Sequence, residues 1–336
     1  MILPQEAGKQ YKQMLENYLH SKGEEDLYLG QQFSRSFIEK DIAPEDVISI
    51  HKTSIEQLIK DLPSDVSVSF DFLIEMMIHY GLALREHQSL IRKQELIQTE
   101  MDIAVRVQNT LLQTTTPRVE GLDIGWTSKP SKQMNGDYVY FLNDNTHEVC
   151  LAVADIIGKG MSAAMHMSMV KFGMDSLRYE QRSPSEVLSF INKMVERSIA
   201  DTMFISMFYG KYDTESSVFR HSSAGHEPAL FYRASENNFS LLESKGLLLG
   251  VQEDAKYEER TVRLENGDFV AIMTDGVTET RTEKGFIEMD VIEDLLSDVR
   301  TESAQTMVDH LFSELSKMQN YELHDDFTLV ILKKTK

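Results

Sequence analysis

Four aspartate motifs stand at the ends of apolar, strand-like runs, each with a glycine within three residues or a second acid beside it. Asp137 lies in NGDY. Asp155 lies in DIIGKG after the run CLAVA. Asp275 follows FVAIMT in TDGVTE, and the pair Asp325 and Asp326 opens DDFTLVIL. A carboxylate at the end of a buried strand is held rigidly yet reaches a cleft. Several brought together repel one another unless a cation neutralises them. Ligation by oxygen alone, without His or Cys, favours a hard ion such as Mg2+ or Mn2+. One Asp-Gly is an ordinary turn; the signal is its recurrence at the edges of apolar strands. A competing motif, Gly158-Lys159-Gly160-Met161-Ser162-Ala163, spells a dinucleotide-binding loop. It leads into two successive helices rather than a parallel strand, and no ribose-binding acid follows about 20 residues on.

The elements that must hold these acids change character along the chain. Residues 1–84 read as four amphipathic helices, a helical bundle, with Pro44 and Pro63 marking the third and fourth starts. Met76, Met77 and Phe72 read as core or packed interface there, and His51, His79 and His87 as structural or surface residues. Residues 85–117 read as a linker whose helix lacks Gly and Pro. A heptad reading puts Leu90, Ile97, Ala104 and Leu111 on one seam row and His87, Gln94, Met101 and Gln108 on the other. That half-polar seam predicts a marginal coiled coil, as a switch element requires. Residues 118–336 alternate short strands with paired helices. Strands apolar on both faces predict sheets covered on both sides, mainly antiparallel.

Composition narrows the function. The chain has 336 residues and a net charge of −20, a poor match for nucleic acid or an anionic membrane. One cysteine, Cys150, excludes an intrachain disulfide and fits a reducing, cytoplasmic setting; in a strand, it reads as core. No apolar run is expected to reach the ~20 residues of a membrane span, and the N-terminus lacks a signal-peptide core.

Several motifs in order carry a family resemblance: AVRVQNTLL, KPSKQMNGDYVYFL, ADIIGKGMSAAM, FISMFYGKYD, SSAGHEPAL, KGLLLGV, GDFVAIMTDGVTE and HDDFTLVIL. Residues 118–334 resemble the bacterial serine phosphatases of the PP2C-like superfamily, in the branch of sporulation and stress-response enzymes. The N-terminal helices and linker resemble more narrowly the stress-response phosphatases that act on an anti-anti-sigma factor in bacilli. The resemblance implies an α+β chain: an N-terminal helical domain for dimerisation and activator binding, a linker helix, then an α-β-β-α sandwich.

It also implies two Mn2+ or Mg2+ ions bridged by Asp155. The Ile156 carbonyl would bind one of them, Asp275 and Asp325 would complete the inner shell, Asp137 would bind directly or through water, and Asp326 would either assist a third, weaker ion or orient its neighbour. Paired cations would bind phosphoryl oxygens and activate water for in-line attack on a phosphoserine ester. Lys132 is a candidate phosphate contact. Lys159 stands where animal-type relatives carry a histidine, so no histidine acid is expected there, and His226 reads as a loop-stabilising residue. The implied partners are a phosphorylated anti-anti-sigma substrate, a kinase-like activator at the N-terminal domain, and a second copy of the chain. The alternatives are a non-catalytic scaffold or a phosphatase of small phosphate esters.

Overall fold

The computed structural model describes residues 5–39, 42–143, 147–156, 161–177, 182–198, 204–282 and 285–335. It divides into two compact units, Met1–Thr99 and Glu100–Lys336.

The first unit is helical: α1 Gln5–Ser21, α2 Glu24–Glu39, α3 Pro44–Leu58 and the start of α4, Ser64–Leu111. Its core is aromatic and aliphatic. Phe37 and Ile50 are buried and pack with Tyr11, Phe33, Ile42 and Val47. The Tyr11 hydroxyl meets His51 Nδ1 at 2.9 Å, which accounts for that histidine structurally. α4 joins through Lys52–Asp71 at 2.6 Å and Arg85–Glu45 at 3.5 Å. The helix and linker read separately from the sequence are one continuous α4. Gly81 does not break it, since an interior glycine costs a helix only about 1 kcal/mol. A Cβ there would lie 2.9 Å from Glu45 Oε2, so the glycine admits a close approach. Phe72 and Met76 are not core within one chain: they are 76% and 48% exposed. α4 also contains an 18-residue window of mean hydropathy 1.3, long and apolar enough to cross a membrane by composition. That corrects the expectation of no such run, although the apolar stretch carries Asp71 and Glu75.

In the second unit, β1 Leu122–Lys129, β2 Asp137–Leu142 and β3 Glu148–Ile156 precede α5 Met161–Ser176 and α6 Pro184–Ser198. β4 Ile205–Asp213, β5 Val218–Ala224, β6 Ala229–Arg233, β7 Asn238–Leu242, β8 Glu259–Arg263 and β9 Phe269–Met273 follow. A one-turn helix, α7 Asp275–Thr278, leads to a small hairpin, β10 Arg281–Thr282 and β11 Gly285–Phe286. α8 Met289–Asp298, α9 Ala304–Met318 and β12 Phe327–Lys334 end the described fold. Two five-stranded sheets, ordered β1-β12-β9-β6-β7 and β2-β3-β4-β5-β8, pair antiparallel throughout.

Strand periodicity sorts the side chains into three cores. Between the sheets lie Val139 and Phe141 of β2, Leu151 and Val153 of β3, Val270 and Ile272 of β9, and Val330 and Leu332 of β12. Alternate residues face outward. Tyr138, Tyr140, Ala152 and Ala154 meet α5 and α6, while Phe269, Ala271, Leu329 and Ile331 meet α8 and α9. This is why these strands read as apolar on both faces. Cys150, half-buried, packs against the first of these helix-covered cores. α9 docks on β1 where Ala304 N donates to Asp123 Oδ2 at 2.7 Å. A Cβ on Gly125 would fall 2.3 Å from the Ala304 carbonyl carbon. Replacing Gly125 by Ala therefore forces α9 off the sheet, and we expect a loss of about 2 kcal/mol or more, read from the denaturant midpoint.

Candidate metal centre

The acids come from both sheets and meet at one end of the sandwich. Asp137 begins β2 and faces Asp155 near the end of β3 in the antiparallel register. Asp275 follows β9 after Thr274, and Asp325 and Asp326 precede β12, the neighbour of β9. One sheet thus supplies Asp137 and Asp155, the other Asp275, Asp325 and Asp326.

Direct bonds lock the sheets together there. Thr274 Oγ1 donates to Asp137 Oδ2 at 2.8 Å. Gly136 N donates to Asp326 Oδ2 at 2.6 Å. Ser131 donates twice to Asp326 Oδ1, through N at 2.7 Å and Oγ at 2.9 Å. Thr274 is the N-cap of α7 but gives its side chain to Asp137 rather than to the helix. Gly276 permits the approach of the two chain segments: a Cβ there would lie 2.0 Å from the Asp326 carbonyl oxygen.

The two acids of the final pair are not equivalent. Asp326 is buried and satisfied by three protein donors, whereas Asp325 is exposed. Asp326 turns into the protein body, held by those donors, and Asp325 stays at the surface in the bend before β12. Asp155 is half-buried, and Asp275 likewise. Ile156 is buried, and its N–H donates to the Gly136 carbonyl at 3.3 Å. Lys132 is exposed on the segment between β1 and β2, one residue after Ser131. Residues 157–160, Lys159 among them, lie outside the described residues.

The electrostatics report mutual proximity. Burial, then the charges of Asp275, Asp325 and Asp326, push Asp155 up to about 7. Burial, then Asp155, hold Asp137 well above the usual carboxylate range. Glu227, which sequence reasoning passed over beside His226, is raised by burial and by Asp275 and Glu279. His226 is buried and held neutral by that burial, its pKa lowered to about 4. Its Nδ1 meets Ser206 Oγ at 2.9 Å, and Ser206 is the cross-strand partner of Asp155 on β4. His226 is thus a prop behind the acids.

Among the described residues no three of these side chains already form a closed ligand shell. They form an open, oxygen-only cluster in which burial and the neighbouring acids disfavour the ionised forms of Asp137 and Asp155. A hard divalent cation fits such a donor set: it relieves the repulsion, and no soft ligand competes. Thr274, Ser131 and Gly276 were not singled out by sequence reasoning; their signal was adjacency to the Asp motifs.

Residues 145–335 match the family of stage II sporulation protein E (SpoIIE), and residues 9–83 match the N-terminal domain of the phosphoserine phosphatase RsbU. The chain is 46% identical to the phosphoserine phosphatase RsbU of Bacillus subtilis over 97% of both chains. Among solved structures, the SiaA-PP2C domain of Pseudomonas aeruginosa superposes with a TM-score of 0.62 at 18% identity, covering 72% of this chain and 98% of that one. The catalytic domain of the serine/threonine phosphatase PstP, solved with two manganese ions, gives a TM-score of 0.51 at 12% identity. It covers 64% of this chain and 99% of its own. These last two show the shared PP2C fold.

The raised Asp155 has a thermodynamic consequence. Its folded form binds a proton over a window where the unfolded form has lost it, so metal-free stability falls as pH rises from the ordinary aspartate range towards about 7. In chelator-treated protein we expect the Tm difference between wild type and Asp155→Asn to grow unfavourable to wild type from about pH 5 to about pH 8. Saturating Mn2+ should stabilise wild type more at the higher pH. A wild-type Tm that rises relative to the variant over that window contradicts the clustering.

Proposed function

Because the chain belongs to the SpoIIE/RsbU family of PP2C-fold serine phosphatases, we propose that it hydrolyses phosphoserine on a phosphorylated anti-anti-sigma factor at a divalent-metal centre built by its aspartates. It is a protein serine/threonine phosphatase of the partner-switching stress response. The observation that supports this site most directly is the convergence of Asp155 with Asp275 and Asp325 across two sheets, felt in the pKa of Asp155.

In this reading Asp155 and Asp275 are central, and together with Asp137, Asp325 and the Ile156 carbonyl they would hold two Mn2+ or Mg2+ ions. When bound, the ions supply positive charge for the phosphoryl oxygens and an acidified water as nucleophile. Asp326, held by Ser131 and Gly136, orients the start of β12 and keeps Asp325 at the opening. Thr274 holds Asp137 through Oδ2. Lys132, exposed nearby in sequence, is available to a phosphate. With every acidic position filled, a non-catalytic scaffold is disfavoured.

Residues 1–84 would dimerise and receive a kinase-like activator, 85–117 would relay its binding, and 118–336 would carry out the chemistry. The activator would order the linker part of α4 and complete the ion site. A second copy suits the row Val68, Phe72, Met76 and Tyr80, spaced four residues apart and all exposed on α4. The setting is the cytoplasm. No nucleic acid or membrane is expected as partner, given the net charge of −20.

With Mn2+, purified protein should release phosphate from a phosphoserine protein, and Asp155→Asn should lower turnover about 100-fold or more. Release from a small aryl phosphate alone would instead favour a small-ester enzyme. Gln94, exposed at a polar seam position, is the second test. Gln94→Leu should raise activator-free turnover several-fold; an unchanged rate removes the main support for linker ordering.

A further inference from the structure

We propose that Gln108 is a positioning residue for the metal centre: its side-chain amide clamps the main chain of Asn135 and so fixes the turn that aims Asp137. This rests on the reading of Asp137 as a metal ligand.

Gln108 lies in the last turn of α4, within the second compact unit, and is 4% exposed. A buried amide needs partners for both its ends. Gln108 finds both on one residue. Its Nε2 donates to the Asn135 carbonyl at 2.7 Å, and its Oε1 accepts from the Asn135 N–H at 3.3 Å. The pairing copies a backbone ladder step, with a side chain in place of one strand.

Asn135 passes the constraint on. Its Oδ1 accepts from Asp137 N at 3.0 Å, an Asx turn over the metal-site residue. Its Nδ2 donates to Ser128 Oγ at 2.6 Å, and Ser128 Oγ also accepts from Thr328 Oγ1 at 2.8 Å. Thr328 N then donates to Thr274 Oγ1 at 3.2 Å, and Thr274 bonds Asp137. The ring therefore closes on Asp137 from both ends, and Gln108 ties it to α4 through the Asn135 main chain. Beside it lies a cavity of about 150 Å3 lined by Gln108, Asn109, Leu112, Asn135 and Asp137 among others. It gives the 135–137 turn room to shift once the clamp is lost.

The heptad reading put Gln108 on the coiled-coil seam, as a position where an apolar residue would help. Its contacts reverse that expectation. An apolar residue at 108 leaves the Asn135 N–H and carbonyl unpaired, and Glu offers no donor to that carbonyl at neutral pH. Metal ligands tolerate displacement of only about 0.5 Å, and losing an outer support typically costs 10–100-fold in metal affinity.

The test uses the full chain. Mn2+ binding is measured directly, from the electron-paramagnetic signal of free Mn2+, for wild type, Gln108→Met, Gln108→Glu and Asp137→Asn. Folding is checked by circular dichroism. Gln108→Met keeps length and helix propensity; Gln108→Glu is the second variant should the first fail to fold. Both should weaken Mn2+ binding about tenfold or more, with phosphatase turnover recovering at high Mn2+ and KM for substrate little changed. Wild-type Mn2+ affinity in a folded Gln108 variant, while Asp137→Asn has lost binding, overturns the clamp and leaves the site reading standing. Wild-type affinity in Asp137→Asn overturns both.

Discussion

Repulsion among carboxylates that two sheets bring to one place is the constraint on which the rest of the second unit depends. A single sheet could present Asp137 beside Asp155, and a single sheet could present Asp275 beside Asp325. Setting the pairs against each other takes two sheets whose facing side chains interdigitate into a dense core. The cost shows in Asp155, pushed up to about 7 by burial and by acids of the opposite sheet. A centre that resists its own charge is poised to accept a divalent cation, and the sandwich is the rigid frame that prevents the acids from relaxing apart.

Much of this was legible in the sequence because strand periodicity and strand-end chemistry are local. The doubly apolar runs of β2, β3, β9 and β12 predicted sheets covered on both faces, and alternate residues of each do enter different cores. The choice between Asp325 and Asp326 was not legible. Both lie just ahead of β12 rather than in the strand, and only the tertiary partners say which points inward. Those partners, Ser131 and Gly136, lie 195 and 190 residues away. Thr274 escaped notice for a related reason: before an Asp-Gly it reads as a helix cap, and its use by Asp137 requires the second sheet.

α4 shows where periodicity misleads. Its heptad pattern assigned Gln108 to the same seam as Gln94, yet Gln94 is exposed and Gln108 is buried against Asn135. Sequence spacing records a helix face but not where along the helix the neighbour changes. The same helix also carries enough apolar surface to meet a membrane-length criterion while holding Asp71 in an ion pair with Lys52. Hydropathy summed over a window is blind to such pairing.

The position of β12 has a bearing on biosynthesis. Last along the described fold, it lies second in its sheet, between β1 and β9, and Asp325 and Asp326 arrive with it. Until it leaves the ribosome, a growing polypeptide has β1 and β9 with an unfilled slot between them and lacks the acids that complete the cluster. A polypeptide released before this strand is made therefore lacks the partner that joins β1 to β9, and that sheet cannot close in its observed order.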